Sequence, residues 1–569
     1  MTTPARPLAD WLAAASDEEL AYLFSARRVR PDAGWHDFFD AAEALLDPAS
    51  IARALPALTA AEAAGLLRAA DGADAGEQRD ALTALALLRP DGEPHPVVLA
   101  DLAGRDPVPP IGSTAIEPAA EDSAAHAAER AFTTVAILAD LLLITRDSPF
   151  ALLAGGAVSA GEKRQLSESG IPPELVDPLV AVAIAAGLAV ADGRKLRTSA
   201  TAEDWLRSSA AARWSVLATA FRDALPRGVR SANGGWIAPE EWPLAHPWDP
   251  TWAERSEQLI ASARLLGLIA EGGTEPEWSI PLRNGEPADA TALALLLPTE
   301  VDRIFLQNDL TAIAPGPLAP PLDVRLRTMA SRESAAQASS YRFTTESVTR
   351  AFAGGETAES ILEFLTGLSL TGIPQPLSYL VSQAAQRHGL VRVSTDDETG
   401  RTRIESTDQH LIEAMSVDQT LRPLALTKHV DSLTTRVGRD TVFWALADAR
   451  YPATLVGPDG GTLVGERHPV PEPVLIASPE AELAPLIARL RAQQGPDADA
   501  AWLDRELEAA VRAKAVLQVT VGMPDGSTRE LLLEATGLGG GRLRGRDRAA
   551  DVERTMPVSS IRSATIVPS

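Results

Sequence analysis

Residues 172–199, PPELVDPLVAVAIAAGLAVADGRKLRTS, decide how this chain is to be read. The two prolines open a helix, because proline fits the first turn, where the backbone N–H has no helical partner. The apolar run then continues at helical spacing to about Ala186. After Gly187 the period shortens, and LAVADGRKLRTS reads as strand, turn and strand, with Asp192-Gly193 supplying the turn. A helix followed directly by a hairpin points to an α+β architecture of small modules.

Upstream, Ala131–Thr145 reads as a helix, and Ser159 with Glu162 three residues on starts a short second one. Three helices and a hairpin over 122–204 make a winged-helix-like domain, and the third helix is then the candidate for reading DNA. That helix contains Glu174 and Asp177 and lacks Lys, Arg, Asn and Gln, the types that meet phosphates and base edges. Protein packing is therefore its expected role. Residues 205–297 repeat the theme: helices around Trp214–Leu225 and Trp252–Leu266 precede LIAEGG and EWSIPLRN, which read as a second wing. Trp205, Trp214, Trp236, Trp242, Trp248, Trp252 and Trp278 fall here among acidic neighbours, so a core role is expected rather than base stacking.

The first 110 residues read as short amphipathic helices, with capping boxes at Ser16/Glu19 and Thr59/Glu62. The Pro- and Gly-rich stretch from Asp91 to Glu121 reads as a linker or long loop. From 298 to 400 the texture is α+β. FLQNDLTAIAP reads as a strand pair, Leu322–Ala330 and Glu346–Phe352 as helices, Thr357 as a helix cap, and Pro374 as the opening of a helix to Arg387. VRVS and RTRIES read as a hairpin around DDETG. Residues 401–465 read as a small α/β unit: a helix near His410–Met415, a strand at LRPLAL, a helix over Leu433–Ala449, a strand at ATLVG and a turn at PDGG. Residues 466–479 read as a Pro-rich linker. Residues 480–569 read as two helices followed by strands that alternate on both sides of Asp525-Gly526.

The whole chain of 569 residues is too long for one core, and 45% hydrophobic with 23% charged residues is ordinary globular composition. Without cysteine there are no disulfides, thiolate nucleophiles or Cys-ligated metals. The N-terminus lacks an apolar signal region, and Val135–Thr145, interrupted by Asp140, is too short for a bilayer, so a cytoplasmic protein without membrane contact is expected. The net charge of −25 is concentrated in residues 1–300, while residues 510–569 carry nine basic against six acidic residues. The acidic half is expected to meet protein, and any nucleic acid to meet the C-terminus.

No catalytic motif emerges. GRLRGRD after Gly540 places Arg546 and Asp547 where a phosphate-binding loop needs Lys and Ser or Thr, and no GxGxxG or GxSxG suits a nucleotide or nucleophile site. The eight histidines show no HxH or HExxH spacing, so no metal and no cofactor are expected. Each lone histidine reads as a surface or capping residue. The one marked basic run is Arg542, Arg544, Arg546 and Arg548, whose spacing puts them on one face of a strand. Such a face could hold a phosphate backbone; its alternative use is to keep a strand edge solvated.

Two resemblances follow. Residues Phe305–Val393 resemble the N-terminal helicase-associated module of XPB-type DNA helicases. The resemblance runs through Leu306-Gln307-Asn308-Asp309, Tyr341-Arg342-Phe343-Thr344, Ala358–Leu365 and Ile373-Pro374-Gln375-Pro376. The architecture as a whole is similar to bacterial helicase-associated-domain proteins that place winged helices ahead of this module. Residues 514–567 resemble a degenerate WYL domain, an SH3-like β-barrel, with GRLRG standing where the Trp-Tyr-Leu triplet would be and Ser560 where an arginine would precede the isoleucine. No motor motif follows the XPB-like module. The resemblances imply a non-catalytic DNA-repair or helicase accessory protein, binding forked or single-stranded DNA, a helicase or repair protein, or both. The alternatives are a WYL-type winged-helix transcription regulator and a helicase-associated nuclease.

Overall fold

Six apolar clusters organise the chain in a computed structural model, which describes residues 5–567 except 113, 336–337, 397–398, 466, 468–477, 495–497 and 524–525. The 466–479 linker thus lies mostly outside the described residues, as does Asp525 in the turn between Gly522 and Thr528.

The N-terminal helices form as their caps dictate. Ser16 and Thr59 each accept the N–H of the glutamate three residues on, and each glutamate returns to the cap amide. The expected 91–121 linker contains a helix, Pro96–Leu102, because Val98 and Leu102 have a core to enter beside Leu66 and Leu82. His95 precedes that helix and is 3% exposed. Burial, with the charges of Arg89 and Arg27 adding to it, lowers its pKa from 6.5 to about 4. The folded protein therefore binds fewer protons here than the unfolded chain between those values. This contribution to stability is complete above pH 6.5 and is lost as the pH falls towards 4, by at most about 3 kcal/mol. Denaturant titrations across this window should show that His95→Gln flattens the acid slope; an unchanged slope would assign acid sensitivity elsewhere.

Residues 121–198 run helix (Glu121–Asp147), strand (Phe150–Ala151), helix (Ala160–Glu168), helix (Pro173–Ala185) and a hairpin (Ala189–Asp192 with Lys195–Thr198). The short first strand pairs with the last. The hairpin turn lies one residue past the expected Asp192-Gly193: Asp192 pairs with Lys195, and the two turn residues are Gly193 and Arg194, with Gly193 at a φ of 61° in the first position.

The second wing does not form. Residues 277–283 are a 3-10 turn followed by a short helix, with Pro276 and Pro281 withholding ladder donors and Trp278 and Leu282 drawn into the core. Trp205, Trp214, Trp242, Trp252 and Trp278 are all buried, and each indole N–H donates to a backbone carbonyl. Such rings are spent on packing and cannot stack bases. Gly267 lets Leu266–Ile269 lie against the long helix, since a Cβ there would stand 2.4 Å from the Ala127 carbonyl oxygen.

The next module has four strands in the order Phe305–Leu306, Thr311–Ala314, Ser339–Arg342 and Ser331–Ala335, packed under the helices Pro320–Met329, Thr345–Ala353, Ala358–Leu368 and Gln375–Arg387. A six-stranded sheet follows, ordered 427–428, 432–435, 402–406, 391–395, 453–456 and 462–463. It keeps the VRVS/RTRIES hairpin together across residue 400, where the sequence reading set a boundary. LRPLAL is not a strand. Asp418 caps the N–H of Thr420 at 2.8 Å and begins a 3-10 turn through Pro423, which has no N–H for a ladder. Leu433–Thr435, expected to begin a helix, instead belong to the strand Ser432–Thr435, as the adjacent threonines favour, and the helix starts at Arg439.

Five antiparallel strands close the chain, ordered Val552–Pro557, Arg542–Asp547, Thr528–Gly539, Val516–Gly522 and Ile561–Val567. The two outer strands do not pair with each other among the described residues. Helix Ala498–Ala513 covers one face through Leu503, Leu507 and Ala510. The preceding helix, Pro479–Ala492, belongs elsewhere. Its Leu483, Leu486, Ile487 and Leu490 complete the core of the first helices, beside Leu12, Leu20 and Phe24.

Candidate nucleic-acid interface

Strand Arg542–Asp547 alternates strictly. Leu543, Gly545 and Asp547 are buried, while Arg542, Arg544 and Arg546 are exposed on the opposite face. Gly545 is required on the buried side, because a Cβ would stand 2.9 Å from the Glu534 carbonyl oxygen. Asp547 accepts from Arg554 Nε at 2.6 Å and from the N–H groups of Ala549 and Ala550. The Arg554 hydrogen bond holds its carboxyl below the ordinary aspartate value. This anchored carboxylate fixes the strand's end and with it the direction of the three arginines.

The four arginines are not equivalent. Arg546 pairs with Asp551 at 2.7 Å, and Arg548, just past the strand, lies 3.8 Å from Glu534. Arg542 and Arg544 have no ion pair among the described residues. Their cross-strand neighbours are Gly539 and Pro557 for Arg542, and Gly537 and Thr555 for Arg544. Two glycines and no carboxylate leave a low, open strip around two free guanidinium groups, whose planar fork suits phosphate oxygens. Gly540 and Gly541, with φ of 58° and 71°, form the tight turn before this strand. The GRLRGRD string is therefore turn and strand, with no helix N-terminus behind it. Among the described residues no three His, Asp or Glu side chains gather as metal ligands would.

The residues of the XPB-like resemblance serve the module's own architecture. Gln307 and Asp309 sit in the exposed tip of the first hairpin, where Asp309 accepts the Thr311 N–H at 3.1 Å. Tyr341 is buried and its hydroxyl donates to Asp323 at 2.6 Å. Arg342 donates to Glu333 and to the Asp309 carbonyl, Phe343 fills the core, and Pro374 caps the helix that Gln375 begins. One face of this module is tied to the long helix 121–147: Asp140 accepts from both Arg327 (2.6 Å) and Arg332. Sequence reading missed this triad, since nothing in local spacing couples residues some 190 positions apart.

Residues 304–429 match the family described as helicase conserved C-terminal domain. The match is under a quarter of the chain, and it extends beyond the 305–393 segment to take in the 391–406 hairpin and the helix Gln409–Val417. No curated protein matches the chain. The matched segment contains the whole four-stranded sheet and the strands 391–395, 402–406 and 427–428 of the six-stranded one, and no helix among the described residues is long and apolar enough to cross a membrane.

Proposed function

We propose that the protein is a non-catalytic accessory factor of a helicase or of DNA repair, which binds nucleic acid through the outer face of the C-terminal sheet and a protein partner through its acidic N-terminal half. The observation that carries this reading is the pair of unpaired guanidinium groups, Arg542 and Arg544, on a glycine-flanked strip. The match of residues 304–429 to the helicase C-terminal family supports a helicase-related role. We read the five-stranded sheet, open among the described residues, as a degenerate WYL-like domain. The irregular registers at Thr520/Val521 and Ala535/Gly537, which bend strands, support that reading.

The element order over 121–198 likewise supports a winged helix, but one turned to protein packing. In its third helix Val176, Leu179 and Ala183 are buried, and Asp177 is taken by Lys163 and the Val158 N–H. That weighs against the transcription-regulator alternative.

Fluorescence anisotropy with labelled single-stranded and forked DNA, at rising salt, tests the proposal. The full chain should bind most tightly at low salt. Arg542→Ala/Arg544→Ala should weaken binding by roughly tenfold or more, and should reduce the salt slope for single strands by about 1.4, two contacts' worth. Absence of binding at low salt, or a double variant with an unchanged slope, overturns it.

A further inference from the structure

The geometry points to a second anion site, a pocket for a small free phosphate-bearing molecule at the end of helix Asp17–Ala26. The helix closes when Arg28 takes φ of 54° and the Val29 N–H returns to the Phe24 carbonyl at 2.8 Å. This turn leaves Arg27 buried and Arg28 and Arg30 exposed, while helix Pro48–Ala54 contributes the exposed Arg53. Together with Asp32 and Trp35 these side chains line a cavity of about 410 Å³. That is the size of a small-ligand site.

Charge decides what would occupy it. The lining contains four arginines and one carboxylate, Asp32, which is already paired with Arg30 at 2.6 Å. Arg28 and Arg53 have no ion pair among the described residues, and Arg27 meets only neutral acceptors. These are the carbonyls of Leu45 (2.6 Å) and Leu85 (2.9 Å) and the Ser50 hydroxyl (2.9 Å). The Nε of Arg27 is buried without any partner. Burial, with Arg53 nearby, lowers Arg27 to about 10, so it remains charged at neutral pH. A chain with a net charge of −25 thus keeps an uncompensated positive cavity.

Helix capping accounts for Arg27, which satisfies carbonyl groups at helix ends. It does not account for Arg28 and Arg53, which face solvent at the same cavity. Guanidinium groups that line one cavity from two elements suit the tetrahedral oxygens of phosphate. Trp35, partly buried and edge-on to Phe24 at 5.4 Å, gives the pocket a flat apolar wall.

Calorimetric titration of the full chain with pyrophosphate tests the site. Saturable, salt-sensitive binding at one site is expected. Arg53→Ala and Arg28→Gly should each lower affinity about tenfold, the loss of one charge-assisted contact. Glycine is chosen at 28 because it tolerates the positive φ, and circular dichroism checks that both variants fold. Arg542→Ala/Arg544→Ala should leave pyrophosphate binding intact, which separates this pocket from the C-terminal face. Failure to saturate at low salt, or loss of binding in the C-terminal variant but not in Arg53→Ala, overturns the assignment. So does binding of a 5′-phosphorylated oligonucleotide without binding of pyrophosphate.

Discussion

Asp140→Ala should destabilise the protein by about 3–5 kcal/mol, because it strands two guanidinium groups that are little exposed. Arg327, Arg332 and Asp140 have side chains only 15–16% exposed, and among the described residues Asp140 is the one carboxylate that meets both arginines. Arg327 keeps a second acid, Asp323, at 3.7 Å, but Asp323 is already shared with the Tyr341 hydroxyl. Arg332 has no other ion pair among the described residues. Urea titration should show the loss. Asp140→Asn, which keeps an acceptor of the same shape but no charge, should lie between wild type and Asp140→Ala. Replacing all three residues by apolar ones of similar size should recover much of the loss, since desolvation of the charges disappears with the charges. A loss under about 1 kcal/mol for Asp140→Ala would mean that solvent compensates the arginines, as at an open surface.

The second large effect is expected at Leu490, fully buried in the seam between helix Pro479–Ala492 and the first helices. Leu490→Asp places a carboxyl among Leu12, Leu20, Leu23 and Phe24, where it must either stay protonated or bear the cost of burial. Adding the lost leucine contacts, the expected cost is at least about 4 kcal/mol. Polar contacts cannot hold the helix alone. Arg491 reaches the carbonyls of Ala13 and Ala15 and the Asp17 carboxylate, and Arg489 reaches the Ala33 carbonyl, all near solvent. Limited proteolysis should then cut within helix Pro479–Ala492 in Leu490→Asp while wild type resists. Equal resistance would show that the seam is held by something other than this apolar face.

Local chemistry was legible in the sequence wherever one or two neighbours decide the backbone. The capping boxes at 16–19 and 59–62 and the hairpin 391–406 follow from side chains within a few residues, and the 189–198 hairpin forms with its turn at Gly193-Arg194, one residue past Asp192-Gly193. The strand placement of Arg542, Arg544 and Arg546 followed from a period of two, and the split into paired and unpaired arginines did not. Asp551 and Glu534 had to be located in space first. Leu433–Thr435 also fit the helical period of the residues after them, and the strand partner that decides their fate, 402–406, lies well back in the chain. Helix 479–492 read correctly as a helix but was grouped with the C-terminal strands. Amphipathicity says that a face is buried and not against what. The Arg27–Arg53 pocket left no local signal, since its arginines come from two helix ends joined only by the fold.

The seam at helix 479–492 also sets an order of events during synthesis. The apolar faces of Leu8, Leu12, Leu20 and Leu23 leave the ribosome roughly 450 residues before Leu483–Leu490 exist to cover them. At about 5–20 residues per second that interval is on the order of 20–90 seconds. Through it the modules between can fold on their own local contacts, whereas the first helices wait with an open hydrophobic face. Chaperone dependence, sensitivity to premature termination and aggregation of nascent chains should therefore concentrate in the helices of residues 6–26, whose core waits for residues 483–490.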